Sequence, residues 1–210
     1  MAELYIRTGQ PSTAIETLQP VLEGKTQDGT TLALAGEAWL QMGEPKKSEA
    51  AFQAAAKASP DDARVRTSVA MAQVARGNGS AAITELEAIA EGDKSTRADL
   101  ALVSARLRQG DTAGALKAID GLEAKTPDAP LPHNLRGRVL LVKKDIPAAT
   151  KSFETALKKD PNYFPATASL AAIELTSGKP ELARKRFEDV LKAQPKNSQV
   201  MLALAELGVR

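Results

Sequence analysis

Residues 137–161 read GRVLLVKKDIPAATKSFETALKKDP, and this stretch sets the pattern that the rest of the chain varies. Gly137 occupies a small-residue slot, and Leu140 lies about one turn further along the same predicted helix. Lys144-Asp145 makes a turn. Ala149, Phe153 and Ala156 then recur on one face of a second helix, which Asp160-Pro161-Asn162 ends. Moved by 34 residues the cassette matches again, at Ala171, Gly178, Ala183, Phe187, Val190 and Pro195. A lone pair of short helices cannot bury an apolar face, whereas stacking one pair on the next builds a continuous core. The period therefore predicts an all-α fold, an α-solenoid of stacked antiparallel helix pairs.

Upstream of the cassette, Ala129-Pro130-Leu131-Pro132 is the most irregular stretch, and its prolines predict extended backbone before the helix that holds His133 and Asn134. Earlier copies place Leu102, Val103, Gly110, Ala115, Ile119, Leu122 and Pro127 in the same slots, then Val69, Ala70, Gly77, Ala82, Leu86 and Ile89, with Lys94 where proline is expected. Gly110 follows Gly77 by only 33 residues, which assigns a one-residue deletion to the Gly92-Asp93-Lys94-Ser95 connector. The first complete copy carries Leu32, Ala35, Gly36, Trp39, Gly43, Ser48, Phe52, Ala55 and Pro60. Before it, Met1–Arg7 reads as the end of a helix, Gly9-Gln10-Pro11 as a turn, Ser12–Glu23 as a helix and Gly24–Gly29 as a polar connector.

The boundaries that follow are one array over 1–210, with partial repeats at 1–28 and 198–210 and fuller ones at about 29–62, 63–95, 96–129, 130–163 and 164–197. Opening and closing inside a repeat, the chain is expected to be part of a longer array. Apolar surface around Leu4, Leu202 and Leu207 should then stay partly exposed and give weak end-to-end self-association. Small residues at Gly36, Ala70, Gly137 and Ala171 let helices approach closely, and leucine at Gly137 or Ala171 should overpack by ~1–3 kcal/mol. Trp39 reads as core filler rather than a binding platform.

Composition removes several classes of function. Charged residues are 26% of the chain with both signs interspersed and a net charge of +2, and aromatics are 3%, so neither a nucleic-acid nor a general membrane footprint appears. Cysteine is absent, which excludes disulfides and thiolate chemistry. No apolar run is long enough to span a membrane, and Met1–Gly9 lacks the regions of a secretory signal. His133 is the one histidine, so neither a metal cluster nor a Ser–His nucleophile can be assembled; it reads as a helix-start or groove residue. Gly77-Asn78-Gly79-Ser80 joins two helices and is a turn, not a phosphate cradle; Asn78-Gly79-Ser80 also matches a glycosylation acceptor. Carboxylates such as Asp61-Asp62, Glu85, Glu87 and Glu188-Asp189 read as solvated faces with weak ion pairs. No catalytic constellation can be written, and neither an enzyme nor a cofactor is expected.

The slots resemble those of tetratricopeptide (TPR) repeats over essentially the whole chain. That resemblance implies a right-handed superhelix whose concave groove is lined by the first helix of each pair. On that geometry the exposed groove positions are Thr30, Ala33 and Glu37, then Arg64, Thr67 and Met71, then Arg97, Leu100, Ser104 and Arg108, then Asn134, Arg138 and Leu141. The candidate ligand-binding residues among them are Arg64, Met71, Arg97, Leu100, Ser104, Arg108, Asn134 and Arg138. Arg97 and Arg108 are three turns apart on one helix face, and Arg108 and Arg138 are expected on one groove wall. Forked arginine donors with apolar gaps suit an acidic peptide or an anionic glycan; ordinary solvated surface is the alternative. The Lys/Asn pair of chaperone-tail clamps is missing, its places being taken by Ala33/Glu37, Thr67/Met71, Leu100/Ser104, Asn134/Arg138 and Ala168/Ala172.

Three runs, 131–137, 159–166 and 202–207, further resemble the TPR-repeat lipoproteins of the PEP-CTERM/exosortase system of Gram-negative bacteria. This implies a non-catalytic scaffold at the periplasmic face of the envelope, linked to exopolysaccharide production and protein sorting. Its membrane contact would run only through a lipid anchor outside these residues. The alternative is a cytoplasmic adaptor with a protein partner in its groove.

Overall fold

The computed structural model describes residues 1–24, 28–77 and 79–208. Lys25-Thr26-Gln27 of the first connector, Asn78 of the acceptor triplet, and Val209 and Arg210 lie outside the described residues. Those described form thirteen helices and no strand, in two compact units, Met1–Gln109 and Gly110–Arg210. The first unit holds α1 (Ala2–Arg7), α2 (Pro11–Leu22), α3 (Gly29–Gln41), α4 (Pro45–Ala58), α5 (Ala63–Ala75), α6 (Gly79–Gly92) and α7 (Arg97–Arg108). The second holds α8 (Thr112–Lys125), α9 (Pro130–Val142), α10 (Ile146–Lys159), α11 (Phe164–Thr176), α12 (Pro180–Ala193) and α13 (Ser198–Gly208).

The turn inside each pair is the same device repeated. Gly9, Gly43, Gly77, Gly110 and Gly178 have positive φ, and Lys144 takes the sixth place at φ 61°. One residue later a backbone N–H reaches back over the helix end: Gln10 to the Tyr5 carbonyl (2.8 Å), Glu44 to Trp39 (2.9 Å), Asp145 to Leu140 (3.0 Å) and Lys179 to Glu174 (2.9 Å). These bonds satisfy carbonyls that the helix leaves orphaned, and they require a left-handed residue before them. Helix starts are set by carboxylates as well. Asp28 accepts from Thr31 N, Asp62 from Arg64 N and Val65 N, Asp111 from Gly114 N, and Asp145 from Ala148 N. The Thr31 hydroxyl, followed by its backbone N–H, holds the Asp28 carboxyl below the ordinary aspartate range.

Two local expectations are corrected. Pro130 and Pro132 are not extended: α9 begins at Pro130, and only the preceding Ala129 is in the β region. Both prolines fall in the first turn, where a helix N–H has no intrahelical partner to lose. Nor is the missing residue in the connector before α7. That connector, 93–96, is as long as those at 59–62, 126–129, 160–163 and 194–197, while α7 has 12 residues and α3, α5, α9 and α11 have 13. The Asp93 carboxylate accepts from the N–H and hydroxyl of Ser95 and closes this connector as an Asx turn, so the loss is absorbed by the helix.

The cores of both units repeat one arrangement, a small residue on a first helix under a large one on its partner. A Cβ built on Gly36 would lie 3.0 Å from the Phe52 ring, and one on Gly137 would lie 2.5 Å from Phe153. Ala171 and Phe187 share a third such cluster, and Trp39 packs against the N-terminal one as filler. On the second helices Ala14, Ser48, Ala82, Ala115, Ala149 and Ala183 occupy equivalent places, each 0% exposed. Ser48 alone adds a hydroxyl there, and its buried Oγ has no hydrogen-bond partner among the described residues. Replacing Ser48 with Ala should therefore stabilise the protein by about 1–2 kcal/mol, because the unpaired hydroxyl carries a desolvation cost that alanine lacks. A raised urea midpoint at unchanged m-value is the expected result; a lowered midpoint would mean that the hydroxyl is satisfied in solution.

Candidate functional site

In the first unit α1, α3, α5 and α7 present their residues to one small cavity of about 20 Å³, lined in part by Glu3, Ala33, Arg64, Ser68 and Arg97. The volume is close to that of a single water. Its walls are tied together by polar contacts. The Arg97 guanidinium on α7 donates to Glu3 Oε1 on α1 at 3.1 Å, and the Ser68 hydroxyl on α5 donates to Glu37 Oε1 on α3 at 2.6 Å. Of the predicted residues here, Arg64, Ser104 and Arg108 are exposed and Met71, Arg97 and Leu100 are partly buried. Arg108, the last residue of α7, lies at the opposite end of that helix from Arg97. Ala33 and Thr67 are not exposed as expected: both are 4% accessible, and the Thr67 hydroxyl is spent on the Ala63 carbonyl at 2.6 Å. Neighbouring first helices pack closely enough to cover these positions.

In the second unit Arg138 is exposed on α9, while Asn134, one turn before it, is 4% accessible rather than on the surface. Here α9 packs against α8 and α10, which leaves this face less open than helix periodicity alone suggests. The Asn134 Oδ1 is buried with no hydrogen-bond partner among the described residues. Burial raises the pKa of the Tyr163 phenol and Asp160 adds to the rise; Arg138 opposes both, which puts its charge within electrostatic reach of that hydroxyl. His133 is 8% exposed, with Nε2 at 3.8 Å from Glu123 Oε1. It faces a cavity of about 310 Å³ shared with Arg136, Lys151, Ser152 and Thr155, on the side where α8 and α10 meet α9.

Six of the eleven arginines among the described residues join helices through ion pairs. Arg66 pairs with Glu85 at 2.7 Å, Arg106 with Glu87 at 2.5 Å, Arg186 with Glu174 at 2.6 Å, and Arg136 with both Asp120 at 2.8 Å and Glu123 at 2.5 Å. Burial works against the charge of Arg136, but hydrogen bonds to Asp120 and Glu123 outweigh it and raise the pKa. Among the described residues Arg64, Arg108 and Arg138 enter no ion pair. Three of the four arginines singled out from sequence are thus uncommitted cations, and Arg97 is not.

One feature escaped the sequence reading. A cavity of about 560 Å³ opens between α4, α5 and α6, floored by Phe52, Val69 and Ala72 and edged by Glu49 and Arg76, which are 3.7 Å apart. Ala56 and Ala81 line it, whereas the equivalent places on the helices flanking α11 hold Leu157 and Leu182. Two alanines at places that leucines fill around α11 were the available signal. No helix among the described residues is long and apolar enough to cross a membrane, and these residues contain no group of three potential metal ligands.

Family models described as tetratricopeptide repeat match residues 1–63, 33–98, 100–164 and 140–207. No curated protein matches the sequence significantly. Among solved structures, a thermophilic TPR protein of Thermus thermophilus is 19% identical, with a TM-score of 0.58 over 87% of this chain and 100% of its own. A tetratricopeptide repeat protein from Parabacteroides merdae is 17% identical, with a TM-score of 0.67 over 100% of this chain and 82% of its own. A chain of the APC/C hetero-tetramer Cut9–Hcn1 is 16% identical, with a TM-score of 0.66 over 99% of this chain but only 42% of its own.

Proposed function

We propose that this chain, which belongs to the tetratricopeptide repeat family, is a non-catalytic protein-interaction scaffold whose first-helix surfaces take a carboxylate-rich ligand, an acidic peptide or an anionic glycan. The observation that carries the reading is the division among its arginines: Arg66, Arg76, Arg97, Arg106, Arg136 and Arg186 are held by carboxylates of neighbouring helices, while Arg64, Arg108 and Arg138, at the groove positions expected from sequence, are exposed with no ion pair among the described residues. Outside those positions the exposed Arg7 and the partly buried Arg184 also enter no ion pair among the described residues. A forked guanidinium left uncommitted on a folded surface is a ready donor to a carboxylate. The similar APC/C chain comes from a hetero-tetramer, which supports a scaffolding role for such an array.

Charge reversal tests this. The double variant Arg108→Glu/Arg138→Glu should keep its helical content, since neither residue lies in a core cluster. It should bind a fluorescent decaglutamate peptide more weakly by ~1–3 kcal/mol at low salt. Binding to the parent should weaken steeply as salt rises. Equal affinity of parent and variant in anisotropy titrations would return these arginines to plain solvated surface.

The location belongs to the same proposal. The runs at 131–137, 159–166 and 202–207 support a lipid-anchored scaffold at the periplasmic face, in exopolysaccharide production and PEP-CTERM/exosortase sorting. Fractionation of the native cells decides between this and a cytoplasmic adaptor: recovery with the envelope is expected, and recovery in the cytosol would reject it.

A further inference from the structure

We propose that Glu3 is a built-in competitor for the ligand carboxylate, occupying Arg97 in the free protein and giving it up when an acidic segment binds the first unit. This rests on the acidic-ligand reading above. The contact spans the length of the unit in sequence, from the first helix to the seventh. Ala2 and Ile6 anchor α1 in a core with Ala14 and Leu18, at 5% and 6% exposure, and this sets Glu3 against α7. Its carboxylate then meets the Arg97 guanidinium at 3.1 Å, with Arg64 on the wall of the same cavity.

Space argues for competition. The cavity of about 20 Å³ that Glu3, Arg64 and Arg97 share cannot admit a second carboxylate while Glu3 stays in place. Exposure argues that the contact opens readily: the two side chains are 39% and 47% accessible, and so open a pair is worth only about a two- to fivefold factor in equilibrium. The more buried Arg136, by comparison, is held by two carboxylates at once. A residue that satisfies a cation in the absence of ligand, at small cost to displace, filters out isolated anions and yields to a segment that meets several arginines in succession.

The test uses the full chain and a fluorescent decaglutamate peptide at low salt. Glu3→Gln should bind about two- to fivefold more tightly than the parent. Glu16→Gln, an exposed carboxylate on α2 with the same change in net charge, should bind as the parent does. In an Arg97→Gln background the gain from Glu3→Gln should vanish. A Glu3→Gln protein no tighter than Glu16→Gln, or a gain that survives Arg97→Gln, overturns the inference while leaving the acidic-ligand reading standing. Absence of peptide binding by every variant and by the parent overturns both.

Discussion

Phe153→Ala is expected to lower the free energy of unfolding by about 3–5 kcal/mol, the largest loss that any single truncation in the second unit should produce. The ring is 0% exposed and sits in a cluster with Ala149, Ala156, Ala166 and Leu170, ringed by Leu140, Leu141, Leu157, Tyr163 and Ile173. Removing a buried aromatic costs the transfer free energy of its surface plus a term for the cavity left behind. The second term depends on whether the site can collapse. Here three of the four closest-packed residues are alanines, and Gly137 lies directly beneath the ring, so no side chain on that side can reach into the space. The effect should therefore fall in the upper part of the range. Urea denaturation gives the total, and hydrogen exchange should show protection falling first in α9, α10 and α11, the helices that meet around the ring. A loss under about 1.5 kcal/mol would mean that Leu140 or Leu157 moves in to refill the cavity.

The same local geometry explains which parts of the molecule were legible in the sequence. Slots that see a similar environment in each repeat were read correctly: the glycine turns at Gly43, Gly77, Gly110 and Gly178, the small buried residues at Ser48, Ala82, Ala115, Ala149 and Ala183, and the large ones at Phe52, Leu86, Ile119, Phe153 and Phe187 recur because each repeat solves one packing problem. Lys144 could be placed as a turn, but only its φ of 61° shows that it adopts the conformation glycine supplies elsewhere. The deletion before Gly110 was visible as a count and misassigned as a location, because nothing in the sequence says whether a helix or its connector gives up the residue. Groove positions were legible as helix faces and not as surfaces. Ala33, Thr67 and Asn134 fall on the predicted side of their helices yet are covered by neighbours, and only the distances between helices decide that. The partnering of Arg97 was beyond reach for a different reason: Glu3 lies 94 residues away, and no local pattern couples the two.

Gly137→Ala should destabilise the second unit, although alanine is the better helix former by about 1 kcal/mol. The opposing term is steric. A Cβ at this position would lie 2.5 Å from Phe153 Cε1, with two further ring carbons at 2.7 Å, and the fully buried ring has no open side into which to retreat. Overpacking of this kind costs ~1–3 kcal/mol, and a contact as close as 2.5 Å falls in the upper part of that range, which outweighs the propensity gain for a net loss of up to about 2 kcal/mol. Gly36 is the internal control. Its Cβ would approach the Phe52 ring only to 3.0 Å, so a shift of a few tenths of an ångström relieves the contact and Gly36→Ala should be close to neutral. The chain itself suggests the rescue, since Ala70 and Leu86 fill the equivalent slots at 1% and 0% exposure. In Gly137→Ala/Phe153→Leu the narrower side chain should recover part of the loss, giving a favourable coupling of about 1 kcal/mol in the double-mutant cycle. Ala171 coexists with Phe187, but there the ring is 5% exposed and lies tilted against Phe164 at 6.2 Å, a displacement that the Phe153 site has no room to copy. If Gly137→Ala proves more stable than the parent by denaturant titration, the Phe153 ring shifts as freely as Phe187, and helix propensity rather than close packing governs the slot.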